Sequence, residues 1–390
     1  MQPFPAKGVF MDIYVVKPGD SVDLIASYYG IPPSTIIYDN QLVYPYPLAI
    51  GQALLVNDGE SSSPSYPAVV GGYAYPYIRE AVLEETLPYL TNLHVFSYGF
   101  TPEGQLVPPQ VDDTFMITAA LNFGASPVLT LTPFGPDGHF NNLLITTLVN
   151  NEEIIQTLLS NLLSTLLEKG FQGVDIDFEY ILPEDRIPFA DFVAQTREFL
   201  SPYGFHVSVA LAPKTSDSQQ GVLYEGKDYA LLGSAADSVL LMTYEWGYTY
   251  GPPMAVAPLD KVRQVVEYAV TEIDPEKIYM GIPNYGYDWK LPFVNGTSKA
   301  ETIGNEQAVE RAILFGSEIL YDERAVSPYY NYFDENGIEH VVWFENVVSI
   351  QGKLDLIREF QLKGAGYWNL MRPFTQNWRL LQSSFRIASS

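Results

Sequence analysis

The feature that most constrains the fold is a repeated alternation between short β-rich runs and stretches with apolar residues at helical spacing. Eight consecutive strand and helix units predict an α/β protein, a closed parallel (β/α)8 barrel of the TIM type. The working face of such a barrel lies at the C-terminal ends of its strands. The predicted strands are Val69 to Tyr75, Leu93 to Tyr98, Pro127 to Thr132, Gly173 to Tyr180, His206 to Ala212, Ser238 to Tyr244, Ile278 to Pro283 and Gly364 to Leu370.

Between the seventh and eighth strands the chain is too long for one loop and one helix. It contains a hairpin pattern, Pro328 to Phe333 and His340 to Phe344 around the turn Asp334 to Gly337. We therefore predict a small β-containing insertion at about residues 286–345.

A run of small, polar and turn-forming residues at 58–67 predicts a linker. It separates a module at 13–57 from a large domain at 68–390. Residues 1–10 differ in character from the rest of the chain and are assigned to neither domain. No apolar run approaches the roughly 20 residues of a membrane span, and no ordinary secretory signal is expected.

Composition excludes several classes of function. The 21 Lys and Arg stand against 46 Asp and Glu, a net charge of −25, which disfavours nucleic acid as a partner. The chain has no cysteine, so disulfides, thiolate metal sites and cysteine nucleophiles are ruled out. We expect a monomer that needs no cofactor.

The fourth predicted strand contains three acidic residues that are candidates for catalysis. Side chains two apart share a strand face, so Asp175, Asp177 and Glu179 all point into the barrel while the apolar residues between them face the helices. Crowding and burial of like charges raise the proton affinity of at least one carboxyl. Glu179, nearest the C-terminal mouth, is the candidate general acid.

Two other interpretations of these acids are a divalent cation site and a purely structural acidic network. Carboxylates are suitable cation ligands, but no His, Asn or Gly-rich loop at ligand spacing accompanies them. We therefore predict no metal. Polar groups at barrel strand ends usually serve function, which disfavours the structural interpretation.

The acidic run resembles the DxxDxDxE strand of glycoside hydrolase family 18, the chitinase-type barrels. It departs from that pattern at the first position, where Gln172 replaces Asp. Leu241 to Glu245 resembles the family's MxYD segment with Glu245 in place of Asp, and Gly366 to Trp368 resembles its eighth-strand segment. The resemblance covers residues 68 to 390.

This resemblance implies a retaining mechanism in which the substrate's 2-acetamido group is the nucleophile. Glu179 would protonate the glycosidic oxygen and Asp177 would orient the acetamido N–H. Asp175 would share a proton or hydrogen bond with Asp177, and Tyr244 would donate to the acetamido oxygen. Glucose polymers are then poor substrates.

Further substrate contacts are predicted near the strand ends. The predicted substrate-binding residues are Trp368, Glu245, Asn284 and Tyr285, with Asp288 and Trp289 as further candidates to line subsites. For Tyr244 and Trp368 the competing interpretation is packing in the barrel core.

Residues 13–57 predict a βααβ unit. Its parts are a strand Ile13 to Val16, a helix capped by Ser21 and ended by Gly30, a second helix from Ser34, and a strand Ala53 to Val56. The pattern resembles the lysin motif (LysM), with YxVxxGD at its start and IGQxL near its end. LysM modules bind N-acetylglucosamine glycans such as peptidoglycan and chitin.

By this resemblance a glycan groove lies between two loops of the module, although Gly19 and Gly51 also serve as ordinary turn glycines. A single copy implies weak binding that tethers the enzyme to a polymer. The predicted glycan-binding residues are Gly19, Asp20, Ser21, Val22 and Ile50.

A LysM module joined to a family 18 barrel resembles the spore cortex-fragment N-acetylglucosaminidases. The resemblance implies hydrolysis of peptidoglycan and a location in the spore. Two alternatives remain at this point, a chitin or chito-oligosaccharide hydrolase and a glycan-binding protein without catalysis. Asp175, Asp177, Glu179 and Tyr244 are all present, which disfavours the second.

Overall fold

A closed barrel of eight parallel strands dominates the structure, a computed structural model that describes residues 11–57, 64, 66–134 and 141–389. Each strand pairs in parallel with its neighbours, and the eighth pairs with the first. This confirms the predicted barrel. Its strands, first to eighth, are Pro67–Ala74, Asn92–Phe100, Ser126–Leu131, Gly173–Ile176, His206–Leu211, Ser238–Leu241, Ile278–Pro283 and Gly364–Trp368.

Six strands end earlier than predicted, three of them by a single residue and three by two residues or more. The fourth ends at Ile176 rather than Tyr180, the sixth at Leu241 and the eighth at Trp368. In the fourth, the backbone N–H of Asp177 still donates to the Leu131 carbonyl at 2.9 Å, but the third strand ends there and offers no further partner. Asp177 and Glu179 therefore lie just beyond the strand end, in the mouth of the barrel.

Helices cover the outside of the barrel. Val174, Ile176 and Phe178 are fully buried in the core that joins strands to helices. Within the described residues, no helix is long and apolar enough to cross a bilayer. The helices are Glu80–Thr86, Thr114–Phe123, Asn142–Val149, Glu152–Lys169, Arg186–Leu200, Tyr229–Ala235, Leu259–Glu272, Val347–Glu359 and Thr375–Ser384, with 3-10 turns at Leu87–Tyr89, Pro183–Asp185, Ser201–Tyr203 and Pro275–Lys277 and short edge strands at Leu106–Val107 and Arg386–Ile387.

An antiparallel sheet lies between the seventh and eighth barrel strands, as the predicted hairpin indicated. In spatial order its strands are Glu301–Ile303, Gly286–Lys290, Glu339–Trp343, Ser327–Phe333 and Leu320–Asp322. A helix at Asn305–Leu314 covers one face of this sheet.

The N-terminal module has the predicted βααβ order. Strands Met11–Val15 and Ala53–Asn57 pair antiparallel around helices Val22–Tyr29 and Pro33–Asp39. The Ser21 hydroxyl accepts from the Leu24 N–H at 3.3 Å, and Gly30 ends the first helix at φ 70°. The domain boundaries 13–57, 58–67 and 68–390 stay predictions, since residues 1–10 and most of the linker lie outside the described residues.

The module is docked on the barrel. The Gln376 side-chain amide donates to Asn40 Oδ1 at 2.6 Å and to the Ala53 carbonyl at 3.1 Å. The Ile319 N–H of the insertion donates to the Ile50 carbonyl at 2.9 Å, and Ala49 is buried in the apolar core of the insertion. A Cβ on Gly51 would lie 1.9 Å from the Ile319 carbonyl oxygen, so this close approach requires glycine.

A cavity of about 170 Å³ lies in this contact region, and Glu306 is one of its lining residues. Burial, reinforced by the charges of Glu85 and Glu310, raises the pKa of Glu306 to about 8. A group with a raised folded-state pKa stabilises the fold at low pH. That contribution declines as pH rises from the ordinary carboxyl range towards about 8.

We predict that Glu306→Gln removes this pH dependence. The variant should melt several degrees above the parent at pH 8.5 and at the same temperature as the parent near pH 4.5, in calorimetric scans. Glu335→Gln, which changes an exposed residue in the hairpin turn of the insertion, is the matched control and should show little difference. An equal offset of the Glu306→Gln melting temperature at both pH values would contradict the prediction.

Candidate active site

Three acids from one segment meet in the lumen of the barrel. Asp175 lies on the fourth strand and is fully buried, Asp177 is 6% exposed, and Glu179 is partly exposed at the mouth. The structure thus brings the three predicted acids to one face in an order of increasing access to solvent. Gln172 precedes the strand and is exposed at the opposite end of the barrel, where its amide donates to the Gly170 carbonyl at 3.2 Å.

Asp175 is held by two hydroxyl groups. Tyr73 of the first strand donates to Oδ2 at 2.9 Å, and Ser208 of the fifth strand donates to Oδ1 at 2.5 Å. The ring of Tyr73 stacks on His94 with centroids 4.3 Å apart, and His94 Nδ1 lies 3.9 Å from Asp175 Oδ2. Asp175 is therefore fixed from both sides and satisfied by hydrogen bonds.

Asp177 differs from Asp175 in its hydrogen bonding. Its Oδ1 is buried and finds no hydrogen-bond partner among the described residues. Burial, together with the charges of Glu179 and Asp175, raises the pKa of Asp177 well above its usual range. Asp177 can therefore either accept a hydrogen bond at Oδ1 or share a proton with a neighbouring carboxyl group.

Glu179 has the properties of a general acid. Burial raises the pKa of its carboxyl group, and the charge of Lys227 opposes that rise. Of the described residues, no set of three or more His, Cys, Asp or Glu side chains is arranged to hold a metal ion. The site can therefore donate a proton from Glu179 near the mouth and accept a hydrogen bond at Asp177 below it.

Aromatic rings form the floor and wall beside the acids. The Trp368 ring packs at edge-to-face angles against Phe96 at 4.9 Å and Tyr75 at 6.0 Å, and remains partly exposed. Tyr244 packs on Gly281, where a Cβ would lie 2.8 Å from the Tyr244 ring. Burial and the nearby charge of Asp177 raise the pKa of Tyr244, which keeps its hydroxyl group a donor.

Glu245 follows the sixth strand with a left-handed backbone (φ 69°), a conformation that costs about 1 kcal/mol or more. Tyr285 and Tyr287 both donate hydrogen bonds to its Oε1, the latter at 2.9 Å. The structure therefore brings Glu245 and Tyr285 together. The predicted role of Tyr285 in substrate contact would have to coexist with this bond.

Three other residues that were predicted to contact substrate or line subsites are buried and hydrogen-bonded within the protein. The Asn284 amide donates to the carbonyls of Asn369 at 3.0 Å and Arg372 at 2.9 Å, and so fixes the loop after the eighth strand. Its Oδ1 is buried without a partner among the described residues. Asp288 and Trp289 are buried within the insertion, bonded to His340 and to the Gly251 carbonyl, so the expectation that they line subsites is wrong.

Four of the predicted glycan-binding residues of the LysM module lie in two loops, and the fifth, Val22, begins the first helix. Gly19 has φ 88°, and Asp20 accepts from the Tyr14 hydroxyl and the Lys17 N–H, both at 2.7 Å. The side chain of Val22 is only 6% exposed and packs in the module core, whereas Ile50 is 37% exposed. Ser21 is used as the helix cap. Any glycan contact of Val22 would have to involve its backbone.

Sequence reasoning missed Tyr73, Ser208 and Lys227. The first two lie on predicted strands. Because side chains alternate between the two faces of a strand, the alternation along those strands could have indicated Tyr73 and Ser208 as residues that face the lumen. Lys227 follows a long irregular segment after the fifth strand. No local pattern predicts that its side chain returns to the barrel.

Comparisons with known proteins agree with this geometry. The model of glycosyl hydrolases family 18 matches residues 137–372, and the LysM model matches residues 14–57. The cortical fragment-lytic enzyme of Bacillus subtilis (strain 168) is 36% identical, over 97% of this chain and 99% of that protein. The spore cortex-lytic enzyme SleL of Bacillus cereus superposes with a TM-score of 0.92 at 33% identity, covering 97% of this chain and 99% of that one. A chitinase of Chromobacterium violaceum shares the fold, with a TM-score of 0.74 at 24% identity and coverage of 81% of this chain and 98% of that one.

We predict that Tyr73→Phe lowers kcat/KM on an N-acetylglucosamine glycan by roughly tenfold to a hundredfold, since a hydrogen bond to a charged group contributes about 1.5–3 kcal/mol. Tyr279→Phe is the matched control, because this lumen tyrosine bonds Ser238 and Asn92 instead of Asp175. Steady-state kinetics on both variants make the comparison. Equal losses in the two would contradict a specific role of the bond to Asp175.

Proposed function

The chain belongs to glycosyl hydrolases family 18, and we propose that it is a glycosidase that cleaves N-acetylglucosamine linkages in spore cortex peptidoglycan fragments. The family membership rests on the match over residues 137–372 and on the 36% identical relative. The substrate class comes from that relative, whose name describes it as lytic towards cortical fragments.

The proposed mechanism is retaining and uses the substrate's own acetamido group. Glu179 donates its proton to the glycosidic oxygen as the bond to the anomeric carbon breaks. The acetamido oxygen attacks that carbon and forms an oxazolinium ion. Water, activated by the Glu179 carboxylate, then opens this ion and restores the acid.

Asp177 and Tyr244 position the internal nucleophile. We assign Asp177 Oδ1 to accept the acetamido N–H, because that buried oxygen has no partner among the described residues. The Tyr244 hydroxyl donates to the acetamido oxygen, and Asp175, fixed by Tyr73 and Ser208, supports Asp177 from below. This unpaired oxygen below a general acid is the observation that carries the proposal.

Trp368 supplies the apolar surface beneath the sugar ring. A partly exposed ring backed by Phe96 and Tyr75 suits stacking against a pyranose face. Glu245 and Tyr285 would bound the same subsite from the insertion side.

The second candidate function is hydrolysis of chitin or chito-oligosaccharides. It is favoured by the same acceptor, since Asp177 would recognise the acetamido group that both polymers carry. A glycan-binding protein without catalysis is the third candidate, and loss of turnover on mutation of Glu179 distinguishes it.

We further propose that the LysM module binds the same polymer, that the protein acts as a monomer without a cofactor, and that it works in the spore cortex. The docking contacts of Gln376 and Ile319 fix the module against the barrel. The module would then hold a glycan strand in a constant direction relative to the cleft.

We predict that Glu179→Gln reduces turnover of cortex fragments by at least a thousandfold while binding of the fragments is retained, because the amide cannot donate the proton. Glu184→Gln, an exposed change five residues further on, is the matched control and should keep full activity. Turnover by Glu179→Gln at the parent rate would refute the assignment of the acid.

Mass spectrometry of the products distinguishes the two substrates. We expect cortex fragments to yield products with N-acetylglucosamine at the new reducing end, and chito-oligomers of equal length to react more slowly. Turnover of chito-oligomers alone would favour the second candidate.

A further inference from the structure

Lys227 is a buried cation that the proposed mechanism leaves without a role. It has no exposed surface, and its Nζ donates to the Ala210 carbonyl on the fifth strand at 2.8 Å. None of the ion pairs among the described residues includes it. Burial of an ammonium group without an ion-pair partner costs free energy of folding, so we expect this charge to have a role in the site.

The side chain ends beside the acids. Asp175 and Ile176 pair with Ser208 and Val209, so the Ala210 carbonyl lies one position further along, beside the chain that continues to Asp177. Gly226 contacts the segment after Glu179, since a Cβ there would lie 2.2 Å from the Ile181 carbonyl oxygen. Lys227 thus lies between the fifth strand, which pairs with the strand of Asp175, and the segment that follows Glu179.

The segment that carries Lys227 is fixed to the fifth strand. Lys214 Nζ donates to the Lys227 carbonyl at 2.8 Å. The hydroxyl of Tyr229 donates to the Ala212 carbonyl at 2.6 Å and accepts from the Lys214 N–H at 3.0 Å. The ammonium group therefore has a defined position rather than a mobile one.

The charges facing Lys227 are those of Asp177, Glu179 and Asp175. A fourth carboxyl, Glu245, also faces Glu179; burial raises its pKa, and the hydrogen bonds from Tyr285 and Tyr287 oppose that rise. Burial lowers the pKa of His94, and burial raises the pKa of the Tyr73 and Tyr244 hydroxyls. Burial also lowers the pKa of Lys227, to about 8, so the ammonium form dominates below that pH.

We propose that Lys227 is a positioning residue that sets the proton count of the three-acid group. Its positive charge keeps one carboxylate ionised to receive the acetamido N–H and to balance the oxazolinium ion, while Glu179 retains the proton it donates. Without this charge, three crowded acids would hold an additional proton near neutral pH. The proposal rests on the proposed glycosidase function.

The test is the pH profile of kcat/KM for Lys227→Met, which keeps the side-chain length and removes the charge. Both flanks should move to higher pH by roughly one unit, the size expected for loss of a nearby unit charge in a partly buried site. A pH at which the parent is at its plateau but the variant lies on its shifted acidic flank should show a fall in rate of up to about tenfold. Lys227→Arg, which keeps the charge, should keep the positions of the flanks even if its rate is lower.

Lys353→Met is the matched control, because Lys353 is also fully buried but pairs with Glu345 at 2.8 Å on an outer helix. It should change stability without moving either flank. Should Lys227→Met not fold, Lys227→Gln takes its place, since it retains a donor for the Ala210 carbonyl.

An active charge-removing variant with unchanged flanks would overturn the proposal for Lys227. Failure of the underlying function has a different signature, in which the parent protein itself does not turn over either glycan.

Discussion

The site depends on the burial of three carboxyl groups along one short segment of backbone. Asp175, Asp177 and Glu179 share a face because side chains alternate along an extended chain, and the apolar residues between them anchor that chain in the outer core. Their mutual repulsion is relieved unequally. Asp175 receives two hydroxyl bonds, Asp177 has an oxygen without a partner in the described part of the chain, and Glu179 reaches the mouth. In the proposed mechanism, this gradient gives similar side chains different chemical roles.

The docking of the LysM module is the second constraint on function. A linker of small and polar residues suggests a tethered module, but Gln376, Ile319 and the close approach at Gly51 hold the module against the last helix and the insertion. One face of the loop that carries Ile50 is thereby covered by Ile319. A fixed module orients a strand, whereas a mobile module would only raise its local concentration.

The sequence predicted the barrel, the insertion and the βααβ module because each rests on local periodicity. Strand ends were less predictable. The fourth strand ends where the third strand offers no further backbone hydrogen-bond partners, although the alternation of polar and apolar residues continues beyond that point. Lys227 and the burial of Asp288 and Trp289 depend on how distant segments pack. No pattern within a few residues encodes such contacts.

The most direct test of the central claim is the reaction of a substrate whose N-acetyl group is replaced by N-trifluoroacetyl. Fluorine withdraws electrons from the amide oxygen, so attack on the anomeric carbon should slow and kcat/KM should fall by orders of magnitude while the affinity for the sugar changes little. An unchanged rate would mean that the nucleophile comes from elsewhere, and would contradict the arrangement of Asp177 and Tyr244 around the substrate amide.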